Sequence, residues 1–362
     1  NANRTYVGTE TRIDADAVAI GDGGKVIVWA NELTRFHGDI SARGGSQGGD
    51  GGFVETSGKQ SLEISGAQVT ANASSGRAGS WLLDPRNITI SDAGTENGSF
   101  NGASPDVFTP TADDAIVSRN TIQSSLNLGT NITIVTTDAT GSQAGDVTIA
   151  DAITKSLDGT ATLRVDAEGS IAVNAAITST TGALNVDFNA TTSVTVNANI
   201  TTLGGNFDSG GTSFSQTAGT ISTGSGGAVI DHSGTVSLNT LNAASLSATA
   251  GGSITDNGTL TISGATTLNS GSADLTLDEA SSTFGSLTLS GAHVSVTENG
   301  AMDLAGGNIS GNLSATVSSG NLTDSGTVTV VGTATFVTSA DDATITLDEL
   351  AVAGDIAGTT NG

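Results

Sequence analysis

Short runs in which apolar and polar residues alternate return at a constant spacing in the middle of the chain. Residues 171–178 read IAVNAAIT and residues 194–201 read VTVNANIT, while Leu184 returns as Phe207, so each match is offset by 23 positions. Alternation with a period of two indicates strands with one buried face. A repeat of this length predicts strands of successive coils stacked in parallel, as in a β-solenoid.

A longer repeat with glycine at its start occupies the first part of the chain. The segment 23–29 (GGKVIVW) recurs at 51–56 (GGFVET) and again at 79–84 (GSWLLD), offset by 28 positions and then by 27 to 28 positions. Each copy begins with glycine, which suits a tight corner before a strand. We therefore expect coils with a period of about 28 positions early in the chain and about 23 positions later.

The late part of the chain carries a larger duplication. Residues 254–264 match 322–332 at an offset of 68, and the flanking segments 246–249 and 276–279 return at offsets of 67 and 70. Since three coils of the shorter kind have this length, we interpret the match as three coils that were duplicated. The two copies span about 232–279 and about 298–349.

These patterns predict an all-β protein, a parallel β-helix, with three segments. Residues 1–92 form the long coils with glycine corners, and residues 131–362 form the shorter coils. Between them, residues 93–130 contain Pro105 and Pro110 and a polar run, which predicts a loop excursion. The spacing of Ile122 and Leu126 predicts one short helix near 120–127, with Asn120 as its N-cap.

The charge distribution excludes several classes of partner. The net charge is −25, and the 11 Lys and Arg residues end at Arg164. Binding to nucleic acid or to an anionic membrane needs a basic patch, so we expect neither. No apolar run is long enough to span a bilayer, so membrane insertion is not expected. The chain has no cysteine, which is compatible with export.

No group of residues has the spacing of a catalytic, cofactor or metal site, and we expect the chain not to be an enzyme. A polysaccharide-active β-helix enzyme is the remote alternative. A lyase would need an Arg or Lys base, which residues 165–362 lack. A hydrolase needs two carboxylates, and the candidates lie partly in duplicated motifs, which favours a repeated surface feature. Those candidates are Asp274, Asp278 and Glu279, or Asp341 and Asp342.

A few other residues invite a functional interpretation. His37, His232 and His293 lie far apart in sequence, and we expect them on the surface or in loops. The glycine-rich segment 44–52 predicts a corner loop with at most incidental calcium binding. Trp29 and Trp81 occupy what the repeat suggests are equivalent coil positions. They either form a ligand platform on the surface or stack within the core.

The early repeats resemble those of filamentous-haemagglutinin-like exoproteins of the two-partner secretion class. The resemblance rests on four segments, 23–30 (GGKVIVWA), 38–45 (GDISARGG), 51–59 (GGFVETSGK) and 80–90 (SWLLDPRNITI), and it extends over 21–153. It implies a right-handed parallel β-helix, export through an outer-membrane transporter partner, and a secreted or cell-surface location. It also implies adhesion to host cells, surfaces or other bacteria. The family's Asn-Pro-Asn secretion motifs are missing, which indicates a shaft segment downstream of the secretion domain.

Two functions therefore stay open. In the first, the chain is an adhesin segment whose polar face binds a host-cell or glycan ligand. In the second, it is a purely structural subunit of an extracellular fibre that packs against neighbouring copies. Few aromatic residues are available for stacking on sugars, at 3% of the chain. This scarcity favours the second function.

Overall fold

The computed structural model describes residues 2–58, 61–64, 66–84, 87–92, 98–100, 108–110, 115–136 and 144–361. The chain divides into two compact units, Asn1–Thr192 and Ser193–Gly362. Both units are built from short strands that pair in parallel with the strands of neighbouring coils, and the described residues include one short helix and one antiparallel strand pair. The predicted all-β solenoid with a single short helix is confirmed. No helix of the described residues is long and apolar enough to cross a membrane.

The elements of unit 1 are β1 (Arg4–Val7), β2 (Arg12–Asp14), β3 (Lys25–Ala30), β4 (Leu33–Phe36), β5 (Asp39–Ser41), β6 (Phe53–Gly58), β7 (Ser61–Ile64), β8 (Gln68–Thr70), β9 (Ser80–Asp84), β10 (Ile88–Ser91), β11 (Gly98–Phe100), β12 (Phe108–Pro110), β13 (Ala115–Ser118), α1 (Arg119–Asn127), β14 (Asn131–Val135), β15 (Val147–Ile149), β16 (Ile153–Lys155), β17 (Ala161–Ala167), β18 (Ile171–Val173), β19 (Ile177–Ser179) and β20 (Leu184–Ala190).

The elements of unit 2 are β21 (Ser193–Val196), β22 (Ile200–Thr201), β23 (Phe207–Gly211), β24 (Ser213–Gln216), β25 (Ile221–Ser222), β26 (Gly227–His232), β27 (Val236–Leu238), β28 (Leu241–Ala243), β29 (Ser245–Ala250), β30 (Ile254–Asp256), β31 (Leu260–Asn269), β32 (Leu275–Leu277), β33 (Thr283–Ser290), β34 (Val294–Glu298), β35 (Met302–Ile309), β36 (Leu313–Val317), β37 (Leu322–Asp324), β38 (Val328–Val330), β39 (Ala334–Asp341), β40 (Ile345–Thr346), β41 (Leu350–Val352) and β42 (Ile356–Asn361).

Three sheets form the sides of unit 1. Sheet A1 has the order β1-β4-β7-β13-β10-β15-β18, sheet C1 has the order β3-β6-β9-β14-β17-β20, and the third side holds β2-β5-β8 and the pair β16-β19. Paired residues are 27 to 29 positions apart among β1–β9. They are 23 or 24 apart among β15–β20. These coil lengths agree with the early and middle repeats.

Strand β13 lies out of sequence order in sheet A1. It follows β10 along the chain, yet it is inserted between β7 and β10, with Ile88 opposite Ala115 and Val117 opposite Ile64. The chain therefore doubles back after β10 and adds one strand behind it. Of the predicted excursion at 93–130, the structure describes the antiparallel strands β11 and β12 and the residues from Ala115 onward.

The predicted helix is α1, and it stands in the place of a strand. It contacts β8 on one side and β16 on the other. The Gln123 Oε1 atom accepts a hydrogen bond from the N–H of Thr154 at 2.7 Å, and Asn127 Oδ1 accepts one from Ser156 at 2.7 Å. Side chains four residues apart thus satisfy the strand edge that a neighbouring strand would otherwise cover. The predicted N-cap was wrong by two residues, because the cap position is Ser118.

Unit 2 also has three parallel sheets. Sheet A2 has the order β21-β24-β27-β30-β32-β34-β36-β39-β42. Sheet B2 contains β22, β25, β28, β37 and β40, and sheet C2 contains β23, β26, β29, β38 and β41. The long strands β31, β33 and β35 pass through a corner and contribute to both B2 and C2. Inward positions are filled by Val, Ile, Leu, Ala and Phe, as the alternation predicts.

The late duplication is not three whole coils, and the predicted period of the later coils is too long for most of unit 2. Ile254 is followed along sheet A2 by Leu275, Val294 and Leu313, so three coils end 59 positions later. The match of Ile254, however, is Leu322, in β37, the strand that follows β36 along the chain and belongs to sheet B2. The duplicated unit is therefore three and one third coils. Paired residues in unit 2 are 17 to 23 positions apart.

Candidate functional site

The two tryptophans do not occupy equivalent coil positions. Trp81 lies opposite Val54, which lies opposite Val26, whereas Trp29 lies opposite Ser57. Trp81 is fully buried, and its Nε1 donates a hydrogen bond to the hydroxyl of Thr56 at 3.0 Å. Trp29 is partly exposed. Trp81 is a core residue, and the structure does not bring the two side chains together as a surface platform.

The three histidines occupy different environments, and the prediction was wrong for one of them. His293 is exposed, and His37 is half-buried beside the carboxylate of Glu63 at 3.6 Å. His232 points into the core with 2% of its surface exposed. It is the last residue of β26 and lies in phase with the inward residues Ala228 and Ile230. The alternation therefore contained the signal that the sequence interpretation overlooked.

The Nε2 atom of His232 lies 3.0 Å from the hydroxyl of Ser209, one coil away. Both side chains are buried, and Nδ1 of the imidazole has no hydrogen-bond partner among the described residues. Burial lowers the pKa of His232 to about 4, so the ring is neutral at physiological pH. A serine–histidine pair activated for catalysis needs a third group that orients the imidazole, together with access to substrate. This pair is an internal hydrogen bond between two polar core residues.

Ion pairs join successive corners of the glycine-rich early coils. Arg43 contacts Asp16 at 2.7 Å, and Arg77 contacts Asp50 at 2.7 Å. Burial raises the pKa of Asp16, but hydrogen bonds from Arg43 and Ser41 outweigh that effect and lower it to about 2. Asp50 lies in the glycine-rich segment 44–52, where at most incidental calcium binding was expected, and its carboxylate forms an ion pair with Arg77. Within the described parts of the chain, no three His, Asp or Glu side chains form a cluster that could hold a metal ion.

The duplicated acidic motif proves to be a corner of the solenoid. Asp256 Oδ1 accepts a hydrogen bond from the N–H of Asp278 at 2.9 Å, and the matching Asp324 accepts one from Asp348 at 2.9 Å. Asp278 is exposed. In each copy, an aspartate thus satisfies backbone groups one coil further on. Of the remaining carboxylate candidates, Asp341 and Asp342 are exposed at another corner, and Asp274 lies at the opposite end of β32 from Asp278.

One outward row of sheet A2 carries a hydroxyl group in eight consecutive strands. All eight residues are partly exposed. Parallel strands lie about 4.8 Å apart, so the hydroxyls form a line of hydrogen-bonding groups with that spacing. The next residue of the row is Ala357. The row consists of Thr195, Ser215, Ser237, Thr255, Thr276, Ser295, Ser314 and Thr335.

A groove of about 350 Å³ lies over the last part of this row, across β32, β34, β36 and β39. We call it the A2 groove. One side consists of hydroxyls of the row, and the other consists of the residues two positions earlier, each of which directly precedes its strand. The groove is lined by Asp274, Thr276, His293, Val294, Ser295, Asn312, Leu313, Ser314, Thr333 and Thr335.

The second side of the A2 groove is held by a series of side-chain to backbone hydrogen bonds. Asp274 Oδ1 accepts from the N–H of His293 at 3.1 Å, and His293 Nδ1 accepts from the N–H of Asn312 at 3.1 Å. Asn312 Oδ1 accepts from Thr333 at 3.0 Å. Because Nδ1 is an acceptor, Nε2 carries the proton in the neutral imidazole. Each of these three side chains is therefore fixed by one polar atom that bonds to the backbone of the next coil, and its second polar atom faces the groove.

The groove was not found from the sequence. Its hydroxyl residues lie 19 to 21 positions apart, in a chain where Ser and Thr are abundant. Only the strand register brings them into one row. The sequence singled out two residues of the A2 groove, the carboxylate candidate Asp274 and His293. His293 was expected on the surface, and the structure places it there.

Comparison with known families matches part of unit 2. A family model described as repeats of unknown function (DUF5649) matches residues 225–290 and 291–361. No curated protein matches the chain. Each matched copy contains ten strand segments when the long strands β31, β33 and β35 are counted as two each. The family repeat therefore corresponds to three and one third coils, and equivalent residues of the two copies lie on different sheets.

Proposed function

We propose that this chain is a shaft segment of a large secreted bacterial surface protein that mediates adhesion to cells, surfaces or other bacteria. The observation that carries the proposal is the continuous register of parallel coils within each unit, with apolar residues inward and small polar residues outward. Such a solenoid grows by adding coils, so it suits a segment that holds other parts at a distance. We propose no catalytic role and no cofactor for it.

The early glycine-cornered coils support the secreted class. Residues 21–153 resemble filamentous-haemagglutinin-like exoproteins, and the strand pairs 27 to 29 positions apart follow the repeats on which the resemblance rests. A transporter partner in the outer membrane would then export the chain. The lack of cysteine and the net charge of −25 fit a chain that crosses an envelope unfolded and stays soluble outside.

A purely structural subunit is the second candidate function. It is favoured by the lack of Trp and Tyr in unit 2, since those residues supply stacking surfaces for sugars. In this case the coils would act as a spacer or pack against neighbouring copies. The two candidates differ in whether the isolated chain has a ligand of its own.

The proposal is tested on bacteria that produce the natural protein. Antibodies raised against this chain should label intact cells or the culture medium. Deletion of the protein should reduce adherence. Purified chain added in excess should compete with the bacteria for attachment if the segment binds a ligand, and should have no effect if the segment is only a spacer. Labelling confined to the cell interior would contradict the proposal.

A further inference from the structure

We propose that the A2 groove binds an uncharged, polyhydroxylated polymer, that is, a neutral glycan chain that lies across successive coils. The inference deepens the proposed adhesive function and rests on it for its biological setting. The binding itself is a property of the isolated chain. It would make unit 2 a binding module and not only a spacer.

The first support is the set of hydrogen-bonding atoms that the fold leaves unused. Among described residues, Asp274 Oδ2, His293 Nε2 and Asn312 Nδ2 make no hydrogen bond, while the second atom of each group is bonded to the next coil. Within the same described region, the facing hydroxyls of Thr276, Ser295, Ser314 and Thr335 also make none. Donors and acceptors of a fixed sheet lose little entropy when a ligand with matching hydroxyls binds.

The second support is space for the side chains of the groove. A Cβ atom at Gly311 would meet the imidazole of His293 at 2.6 Å, and one at Gly332 would overlap Oδ1 of Asn312. Glycine at these two positions lets each side chain lie along the next coil. The side chains can therefore bond to the backbone through one edge while the other edge faces the groove.

The third support is that the duplication accounts for only part of the hydroxyl row, because Ser314 and Thr335 match hydroxyl residues of the other copy and Ser295 does not. Because the repeat is three and one third coils, equivalent residues of the two copies lie on different sheets. Ser314 and Thr335 of A2 correspond to Ser247 and Thr267 of C2, and Ser295 corresponds to Val229. A copied row would therefore change sheets at the second copy. The hydroxyls instead continue along A2 through both copies.

Charge restricts the class of polymer. The A2 groove contains one carboxylate, Asp274, and no Lys or Arg, and residues 193–362 contain neither. Sulfated glycans, polyuronates and nucleic acids need cations to offset their charge, and this surface repels them. Sugar hydroxyls both donate and accept hydrogen bonds, as do the Ser and Thr hydroxyls of the row.

Residues 193–362 contain no Trp or Tyr, and this absence determines how such a polymer would bind. Each sugar would contribute hydrogen bonds without stacking, so the affinity for a single sugar should be weak. A chain that spans several coils gains from many such contacts at once. We therefore expect binding to polysaccharides and long oligosaccharides, and not to monosaccharides.

The test uses the purified full chain and a panel of defined polysaccharides. The neutral probes are amylose, dextran, galactan and mannan, and the anionic probes are heparin and polygalacturonate. Binding is measured by calorimetry and by retention on immobilised polysaccharide. We expect at least one neutral probe to bind and neither anionic probe to do so. If no neutral probe binds, or if an anionic one binds better, the inference is wrong.

A matched pair of variants locates the site. The groove variant combines Ser314→Ala with Thr335→Val, and the control combines Ser247→Ala with Thr267→Val, the same changes at the equivalent positions of sheet C2. All four residues face outward, so both variants should fold with unchanged melting temperatures. The groove variant should weaken binding about tenfold, since two hydrogen bonds are lost, and the control should bind like the parent.

If both variants lost polysaccharide binding equally, or if the groove variant lost none, the assignment of binding to the A2 groove would be wrong. Self-association of the chain that the groove variant abolishes, without polysaccharide binding, would overturn it in favour of contacts between copies. Failure of the polysaccharide test would leave surface labelling and adherence of the bacteria unaffected. The failure of this inference is therefore distinguishable from failure of the proposed function.

Discussion

Two carboxyl groups lie in the core of unit 2 without a cation beside them. Glu298 is 1% exposed and Asp256 is 5% exposed, and one oxygen of each has no hydrogen-bond partner in the described chain. Burial raises the pKa of Glu298 to about 7, and the hydrogen bond from the N–H of Phe284 offsets this only in part. Burial likewise raises the pKa of Asp256 to about 6. Both groups are protonated more readily in the folded chain than in the unfolded chain.

The replacement Glu298→Gln should therefore stabilise unit 2 at high pH only. Below the unfolded pKa of 4.5 the carboxyl is neutral in both states, so the variant gains little. As the pH rises from 4.5 to about 7, the parent loses up to about 3 kcal/mol of stability, a loss that stays constant at higher pH, and the variant does not. Urea unfolding at pH 4, 6 and 8 measures the difference. The exposed Glu349→Gln serves as the control, and equal gains at pH 4 and 8 would contradict the assignment.

The different burial of the two tryptophans predicts different costs of truncation. Trp81→Ala removes a fully buried side chain and its hydrogen bond to Thr56, and should cost about 3–5 kcal/mol. Trp29→Ala removes a partly exposed side chain and should cost less than half as much. Chemical unfolding of the two variants compares them. Similar losses would mean that the two residues do occupy equivalent positions, as the sequence repeat suggested.

At the scale of the element, the glycine corners of the early coils are explained by close backbone contact. A Cβ atom at Gly52 would overlap the carbonyl oxygen of Gly24, and one at Gly79 would overlap that of Gly52. The same oxygens accept hydrogen bonds from Phe53 and Ser80, so the coils cannot move apart without losing them. The glycine repeat in the sequence therefore records how closely successive corners pack.

We expect Gly52→Ala to destabilise unit 1 by about 1–3 kcal/mol, because the clash is with backbone atoms that cannot rotate away. The control is Gly8→Ala, where the added Cβ would lie 3.6 Å from the ring of Tyr6, an ordinary contact. Thermal unfolding followed by tryptophan fluorescence reports on unit 1, which contains both Trp residues. An unchanged midpoint for Gly52→Ala would show that the corner is looser than described.

The sequence predicted the elements better than their arrangement. Alternation identified strands such as β18, and helical spacing identified α1, because both patterns depend on neighbouring residues. The insertion of β13 between β7 and β10 could not be predicted from the sequence. Strands of successive coils carry the same alternation of apolar and polar residues, so the alternation does not indicate which strands are neighbours. For the same reason, the offset between the late copies could not distinguish three coils from three and one third.

The A2 groove illustrates the same limit at a site. His293 and Asp274 were visible in the sequence, but neither lies near the other along the chain. Their pairing depends on the number of residues in the intervening coil.

At the scale of the whole chain, the excess of acidic residues should make stability depend on salt. Residues 193–362 contain 14 Asp and Glu and no Lys or Arg. Exposed carboxylates repel one another over about 30 Å at 0.01 M salt and over about 8 Å at 0.15 M. The melting temperature followed by circular dichroism should therefore rise between these NaCl concentrations at pH 8. Sucrose at equal osmolarity controls for solvent exclusion, and a melting temperature that falls with NaCl would contradict the expectation.

The most direct test of the coil register uses the absence of cysteine from the chain. Ser295 and Ser314 lie opposite each other in adjacent strands of A2, at a Cα separation suited to a disulfide. The double variant Ser295→Cys, Ser314→Cys should therefore form an intramolecular disulfide on mild oxidation. Ser247→Cys, Ser314→Cys, which places the cysteines at equivalent repeat positions on different sheets, should not. A disulfide in the second variant and none in the first would contradict the parallel, in-register solenoid described for unit 2.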